Sequence, residues 1–530
     1  MGGELAVISR RTVVGTGALL GGLTVAPSLM GVAGFGLGFR NAAATDGDAL
    51  GFLPATDLAR LIRNKEVGSL ELTRYFIDRI ERFDETLNAV VVRDFERALN
   101  AAKRADEALM RGKILGPLHG LPMTIKESFD IEGLPTTWGM PAFSDNIARR
   151  DADVVKRFKT AGAHFMGKTN VPFGLGDYQS YNAIYGTTRN PWDPERTPGG
   201  SSGGTAASLA AGMTGLDSGS DIGGSIRNPA HYCGVFGHKP TWQVVSGKGH
   251  ALPGSYAAPD LAVVGPMARS AEDLALAMEL VAGPGELDAA GWQLRLPQPR
   301  GKALRDYRVA VWVTDEFAPP SKAIADRIQQ VADALAKSGA RVSDSARPAF
   351  DAKESHYTYI TLLESFLSAQ RPEEQYEAAR EYAAGFAADD ESEDAVWARA
   401  SILEHRDWIH SHNVRTRIRG HWKAFFEDWD IVLSPIMVTT AFAHDHSPID
   451  DRTLIVDGKE VSYWNQLFWA GLATLPFLPS TVFPAGLADD GLPVGLQAIG
   501  AEYNDRTTIE FARLVTREIG GFRPPPGFAD

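Results

Sequence analysis

Between residues 56 and 105 apolar side chains recur at helical spacing. Leu58, Leu61 and Ile62 share one face, and Leu72, Tyr75, Phe76 and Ile80 repeat it after Gly68-Ser69. The texture changes between residues 115 and 245. Short apolar runs at 121–125 and 164–166 alternate with Gly/Ser/Pro clusters and one helical stretch at 152–160, the pattern of an α/β fold. Residues 309–313 predict a strand and 322–338 an amphipathic helix. Residues 350–430 read as charged, aromatic and helical, with a turn at Asp389-Asp390-Glu391-Ser392-Glu393. Residues 431–433 and 474–477 predict further core strands. Residues 45–55 read as a linker, no later segment divides the chain, and there is no internal repeat. One domain is therefore expected over 45–530, with a core at about 115–245 and a helical region at about 350–430.

Composition adds exclusions. A chain of 530 residues with 44% hydrophobic and 22% charged residues is that of a globular protein with a large core. The formal charge of −13 argues against nucleic acid or an anionic membrane as the main partner. The single cysteine, Cys233, excludes an intrachain disulfide framework and a cysteine-rich metal cluster.

The first 44 residues read as an address. Ser9-Arg10-Arg11-Thr12 precedes an uncharged, Gly- and Ala-rich stretch that runs to Phe39, and Ala42-Ala43-Ala44 supplies small residues for cleavage. This is the pattern of a twin-arginine signal peptide, and it places the mature chain in the periplasm or outside the cell. The stretch is also long enough to span a bilayer, so an N-terminal membrane anchor is the alternative. The segment carries a net +2, which would leave the mature chain at −15.

Three motifs compete for the chemistry. Gly162-Ala163-His164-Phe165-Met166-Gly167-Lys168-Thr169 fits GxxxxGK[ST] letter for letter. Its interior is an apolar run suited to a strand, and Pro172 stands where a helix should be forming its first bonds, so it predicts a core strand ending in a turn. Gly199-Gly200-Ser201-Ser202-Gly203 fits the GxSxG elbow, but the segment before it holds Pro191, Pro194 and Pro198 and predicts a loop, not a strand. The third is a constellation. Lys126 ends an apolar run in Gly116-Pro117-Leu118-His119-Gly120-Leu121-Pro122-Met123-Thr124-Ile125-Lys126. Ser201 and Ser202 follow in a glycine-rich loop. Ser225 lies in Gly219-Ser220-Asp221-Ile222-Gly223-Gly224-Ser225-Ile226-Arg227.

Together these parts resemble the amidase signature family of serine hydrolases, the group that includes fatty acid amide hydrolase and bacterial amidases. The resemblance spans roughly residues 55–520 and is strongest at 116–242. It extends to Gly265-Pro266-Met267-Ala268-Arg269-Ser270 and Gly491-Leu492-Pro493-Val494-Gly495-Leu496-Gln497. Glu127 stands where Asp is frequent, and His238 interrupts a usual Gly-Leu-Lys-Pro. The resemblance implies a twisted mixed β-sheet covered on both faces by helices. It also implies hydrolysis of a carboxylic acid amide through a Ser acyl-enzyme, with side activity on esters.

Amide hydrolysis needs a nucleophile, a base, an acid for the amine and donors for the oxyanion. Ser225 is placed for attack, since the glycines before it let backbone N–H groups converge without a side chain in the way. Ile222, Gly223, Gly224 and Ser225 are the candidate oxyanion donors. The resemblance implies the same roles, with Ser201, on a cis peptide bond, bridging Ser225 and Lys126. Lys126 must be neutral to serve as base, and an apolar strand end can lower its pKa by desolvation. No histidine, metal or other cofactor is required. Asp221 and Arg227 are expected to pair and shape the loop, and Ser202 to bond loop backbone.

Leu175 stands where relatives place a substrate-contacting residue, with plain packing as the alternative. Tyr357, Tyr359, Phe366, Trp464, Phe468 and Trp469 come from segments that line the acyl pocket in relatives, or pack the core. His410, His412, His444 and His446 fit no zinc spacing, and Cys233 reads as a buried, inert thiol. The expected partner is a small-molecule amide, with no nucleic acid and no membrane for the mature chain; homodimer formation stays open. Two other functions share this scaffold: one component of a glutamine-dependent tRNA amidotransferase, working beside a tRNA-binding partner, and a non-catalytic binding protein. The signal reading has a direct test. Replacing Arg10 and Arg11 together by Lys is expected to hold the precursor in the cytoplasm, read by fractionation; unchanged export would remove the twin-arginine assignment.

Overall fold

The computed structural model describes residues 47–369 and 371–529. The segment 1–44, read from sequence as a signal peptide, lies outside the described residues. The centre of the fold is an eight-stranded sheet. From one edge its order is Arg341–Ser343, Arg308–Val311, Ile431–Ser434, Pro493–Ile499, Ser480–Leu487, Phe236–Lys239, Val263–Ala268 and Asp217–Asp221. The first three strands pair in parallel and every later pairing is antiparallel, so the sheet is mixed.

Consecutive residues of these strands enter opposite cores, as the two-residue period of a pleated strand requires. Val309, Val311, Ile431, Leu433, Phe483, Val494 and Leu496 pack into one apolar cluster. Ala310, Val432, Val482 and Ile499 pack into the other. The first cluster is closed by the helices Ala271–Val281, Lys322–Lys337 and Asp505–Ile519. The second is closed by Arg227–Cys233, Ala352–Ser368, His405–Asp428 and Leu467–Thr474. The sheet is thus covered on both faces, the α/β architecture that the motifs implied.

A second sheet carries the lysine. Its three strands are Val90–Arg93, His164–Thr169 and Pro122–Lys126, with His164–Thr169 in the middle, antiparallel to the first and parallel to the last. The Walker-like sequence is therefore a buried strand. The Lys168 ammonium donates to Thr136 Oγ1 at 3.0 Å and to the Pro135 carbonyl, so it has no open loop from which to grip a phosphate.

Most predicted elements appear within a residue or two: Asp153–Thr160, Arg308–Val311, Lys322–Lys337 and Ile431–Ser434. Two readings are corrected. The helical stretch from 56 to 105 is three helices, Ala55–Arg63, Ser69–Leu87 and Phe95–Met110, broken by the strand Val90–Arg93. Three successive valines favour a strand there, and Val90 and Val92 are buried. The expected strand at 474–477 is absent. The chain forms the helix Leu467–Thr474, buried on every side, turns at Phe477 (φ 65°), and begins its strand at Ser480. A short apolar run buried all round has no period to tell helix from strand.

Candidate active site

Three segments meet at the site. Lys126 ends the strand Pro122–Lys126, Ser201 lies just before the helix Gly203–Ala210, and Ser225 lies in the turn between the strand Asp217–Asp221 and the helix Arg227–Cys233. All three are buried, Lys126 completely.

The strand Asp217–Asp221 delivers the turn, and Asp221 then ties it in a knot. Its carboxylate accepts N–H bonds from Gly224 at 3.0 Å, Ile226 at 3.0 Å and Arg227 at 3.3 Å, closing the segment back on itself. It also receives two bonds from the Arg227 guanidinium, Nε at 3.0 Å and NH2 at 2.9 Å, with both side chains wholly buried. Arg227 spends its remaining donors on the Ala470 carbonyl, Gln497 Oε1 and Thr474 Oγ1. The pair therefore fastens the serine turn to the helix Leu467–Thr474 and to the strand Pro493–Ile499. Burial alone would push the Asp221 carboxyl up; the Arg227 charge and these hydrogen bonds outweigh it and hold it below its usual range. The turn also needs Gly224, whose φ of 102° disfavours any side chain.

The two serine loops are stitched together by backbone and by one side chain. Ser202 N–H donates to the Ser225 carbonyl at 3.1 Å. The Asn228 amide accepts from Gly200 N–H at 3.0 Å and donates to the carbonyls of Gly200 and of Gly224. The Gly200–Ser201 peptide bond is cis. The Lys126 ammonium nitrogen lies 2.6 Å from Ser201 Oγ and 2.9 Å from Ser220 Oγ. Desolvation lowers its pKa from the ordinary 10.5 to about 7, against the opposing pull of Asp221 and Asp217. Glu127, its sequence neighbour, is engaged elsewhere, accepting from the N–H groups of Thr137 and Trp138 and from the Tyr185 hydroxyl. At neutral pH this site holds a lysine able to take a proton, in contact with a serine.

Of the four candidate oxyanion donors, the Gly224 N–H is taken by Asp221. The carbonyls of Ile222 and Gly223 accept from the hydroxyls of Tyr359 at 2.7 Å and Tyr178 at 3.2 Å. Leu175 sits half-buried in a tight turn with φ 61°. Among the aromatic candidates only Tyr359 is hydrogen-bonded to the serine turn. Phe468 and Trp469 pack with Trp312, and Phe468 also with Phe317. Trp464 lies against Tyr178, half-buried Phe366 sits near the end of the helix Ala352–Ser368, and Tyr357 lies against Phe317. Cys233 is buried, donates to the Pro198 carbonyl and has its thiol pKa pushed up by burial, so it carries no reactive thiolate. Among the described residues no three His, Cys, Asp or Glu side chains group as metal ligands; His444 and His446 lie edge to face, and His446 stacks on Tyr181. Sequence reasoning misses Ser220 and Asn228. For Ser220 the available signal was a second hydroxyl one residue ahead of Asp221, at the end of the strand that delivers the turn.

Comparison with known proteins points the same way as this geometry. The profile of the family described as Amidase matches residues 71–509. An indoleacetamide hydrolase of Bradyrhizobium diazoefficiens is 33% identical, the alignment covering 88% of this chain and 86% of that one. A glutamyl-tRNA(Gln) amidotransferase component of Moorella thermoacetica is 32% identical, covering 87% and 95%. A solved structure from an inhibitor-bound vestigial complex, described as revealing the origins of an s-triazine catabolic enzyme, superposes with a TM-score of 0.75 at 28% identity. It covers 89% of this chain and all of its own, 100%.

The knot generates a stability prediction. Asp221→Ala leaves the Arg227 guanidinium buried without its partner, and breaking such a pair costs about 3–5 kcal/mol. The variant is expected to unfold at markedly lower denaturant concentration; an unchanged midpoint would show that the pair does not hold the turn.

Proposed function

The chain belongs to the amidase signature family, whose enzymes hydrolyse amides, and from that premise we propose that it cleaves a linear carboxylic acid amide through an acyl-enzyme on Ser225. The observation that carries this reading is the contact of a desolvated lysine with Ser201 Oγ at 2.6 Å, in a loop stitched to the Ser225 turn. Ser225 Oγ attacks the carbonyl carbon while its proton passes through the Ser201 hydroxyl to neutral Lys126. The amides of Ile222, Gly223 and Ser225 receive the oxyanion. As the tetrahedral species collapses, the C–N bond breaks and Ser201 protonates the departing nitrogen, drawing a proton back from Lys126. Water then releases the acid by the same relay in reverse. Ser220, the second hydroxyl on Lys126, orients the amine within the relay. Every proton has a carrier here, so no cofactor is needed.

The same acyl-enzyme would form from an ester with an acyl group that fits, so side esterase activity belongs to this reading. Action outside the cytoplasm, after twin-arginine export, belongs to it as well. A second reading is favoured by the amidotransferase relatives: a protein that releases ammonia for a tRNA-bound partner. It differs in needing that partner, so turnover of simple amides by the purified chain alone separates the two.

The test compares p-nitroacetanilide with p-nitrophenyl acetate, which share an acyl group. Ser225→Ala is expected to abolish both activities. Lys126→Ala is expected to lower kcat/KM on both, and far more on the anilide, because an amine must be protonated as it leaves. General acid–base participation is worth about 10²–10⁴-fold. Equal loss on both would confine Lys126 to activating the nucleophile, and no loss on either would remove it from the mechanism.

A further inference from the structure

The serine turn is made of peptide planes, each free to rotate unless something holds it. In a trans peptide the carbonyl of one residue and the N–H of the next lie in one plane and point in opposite directions. Holding a carbonyl therefore aims the N–H behind it. The plane between Gly223 and Gly224 is held at both ends: its carbonyl accepts from the Tyr178 hydroxyl at 3.2 Å, and its N–H donates to Asp221 Oδ1 at 3.0 Å. The plane between Ile222 and Gly223 is held at one end, by the Tyr359 hydroxyl on the Ile222 carbonyl at 2.7 Å. Its N–H meets no acceptor among the described residues.

Resting on the reading of Ser225 as nucleophile, we infer that Tyr359 is a positioning residue that fixes the Gly223 N–H as one of the three oxyanion donors. Tyr359 comes from the helix Ala352–Ser368, 137 residues from the turn it holds, and is fully buried. Gly471 makes room for its ring: a Cβ there would come within 2.5 Å of the ring edge. Burial pushes the hydroxyl pKa up, so it stays a donor throughout the working pH range. Tyr178 plays the lesser part, because the plane it holds is also fixed by Asp221 and its N–H is not free for substrate. The two tyrosines thus divide the donors: one N–H is committed to structure, and one is aimed and left open for substrate.

The experiment removes one oxygen at a time and uses p-nitrophenyl acetate and p-nitroacetanilide. Losing an oxyanion donor outright costs about 10²–10³-fold in kcat. Releasing rather than deleting it is expected to lower kcat by about 10- to 100-fold in Tyr359→Phe, with KM held within about twofold. The acid limb of the pH profile should stay near pH 7, because Lys126 is untouched. Tyr178→Phe is expected to lose no more than about threefold, since its plane keeps the Asp221 bond. Gly471→Ala, which displaces the ring without removing the hydroxyl, should reproduce the kcat loss of Tyr359→Phe. A Tyr359→Phe enzyme with wild-type kcat, a loss confined to KM, or an equal loss in Tyr178→Phe would overturn the inference. Failure of the parent reading looks different: the wild-type chain would then turn over neither substrate, and the inference would fall with it.

Discussion

The site depends on burying a charge pair rather than a charge. Asp221 lies close enough to Lys126 to pull the ammonium toward its charged form. A lone carboxylate there would raise the lysine pKa and spoil it as a base. Arg227 cancels most of that charge with two hydrogen bonds, so Lys126 sees something nearer a dipole, and desolvation decides its protonation. The same pair folds the serine turn through three N–H bonds and anchors it to two further elements. A hydrophobic substitute could fill that volume, but it could neither hold three amides nor reach Gln497 and Thr474. The pair's worth lies in geometry more than in net stability, since two buried charges seldom gain much over apolar packing.

Much of this could be read from the chain. Lys126 at the end of an apolar run, two serines in a glycine loop and Ser225 behind Gly223-Gly224 were enough to nominate the site, because each motif is local; the structure brings Lys126 to Ser201 and the Ser202 N–H to the Ser225 carbonyl. The strands of the sheet were legible where their apolar runs had clear limits, as at 431–433 and 309–313. At 474–477 the apolar run misled: no strand forms there, because the run continues the helix Leu467–Thr474, which is buried all round and shows no polar face. The strand Val90–Arg93 hid inside a helical rhythm because the helices flanking it set the pattern of the whole window.

Partners that reach across the fold were not legible. Tyr359 looks from sequence like one more pocket aromatic; that its hydroxyl ends on the Ile222 carbonyl follows from how the helix Ala352–Ser368 packs against the helix Leu467–Thr474. Asn228 looks like an ordinary residue before a proline, and only the approach of the two serine loops turns its amide into a clasp. Asp221 taking the Gly224 N–H is a consequence of the turn itself, and it narrows the four expected oxyanion donors to three. The motif names the reacting atoms; tertiary contacts decide which backbone groups are free to help them.

The claim on which the account rests is that neutral Lys126 activates Ser225 through Ser201. The most direct measurement is the rate at which a fluorophosphonate labels the protein across pH, with the modified residue located by mass spectrometry. The account predicts a label on Ser225 and a rate that rises through one ionisation near pH 7, since Lys126 accepts a proton only above that point. A label on Ser201, or a rate on Ser225 that does not change with pH across that range, would contradict it.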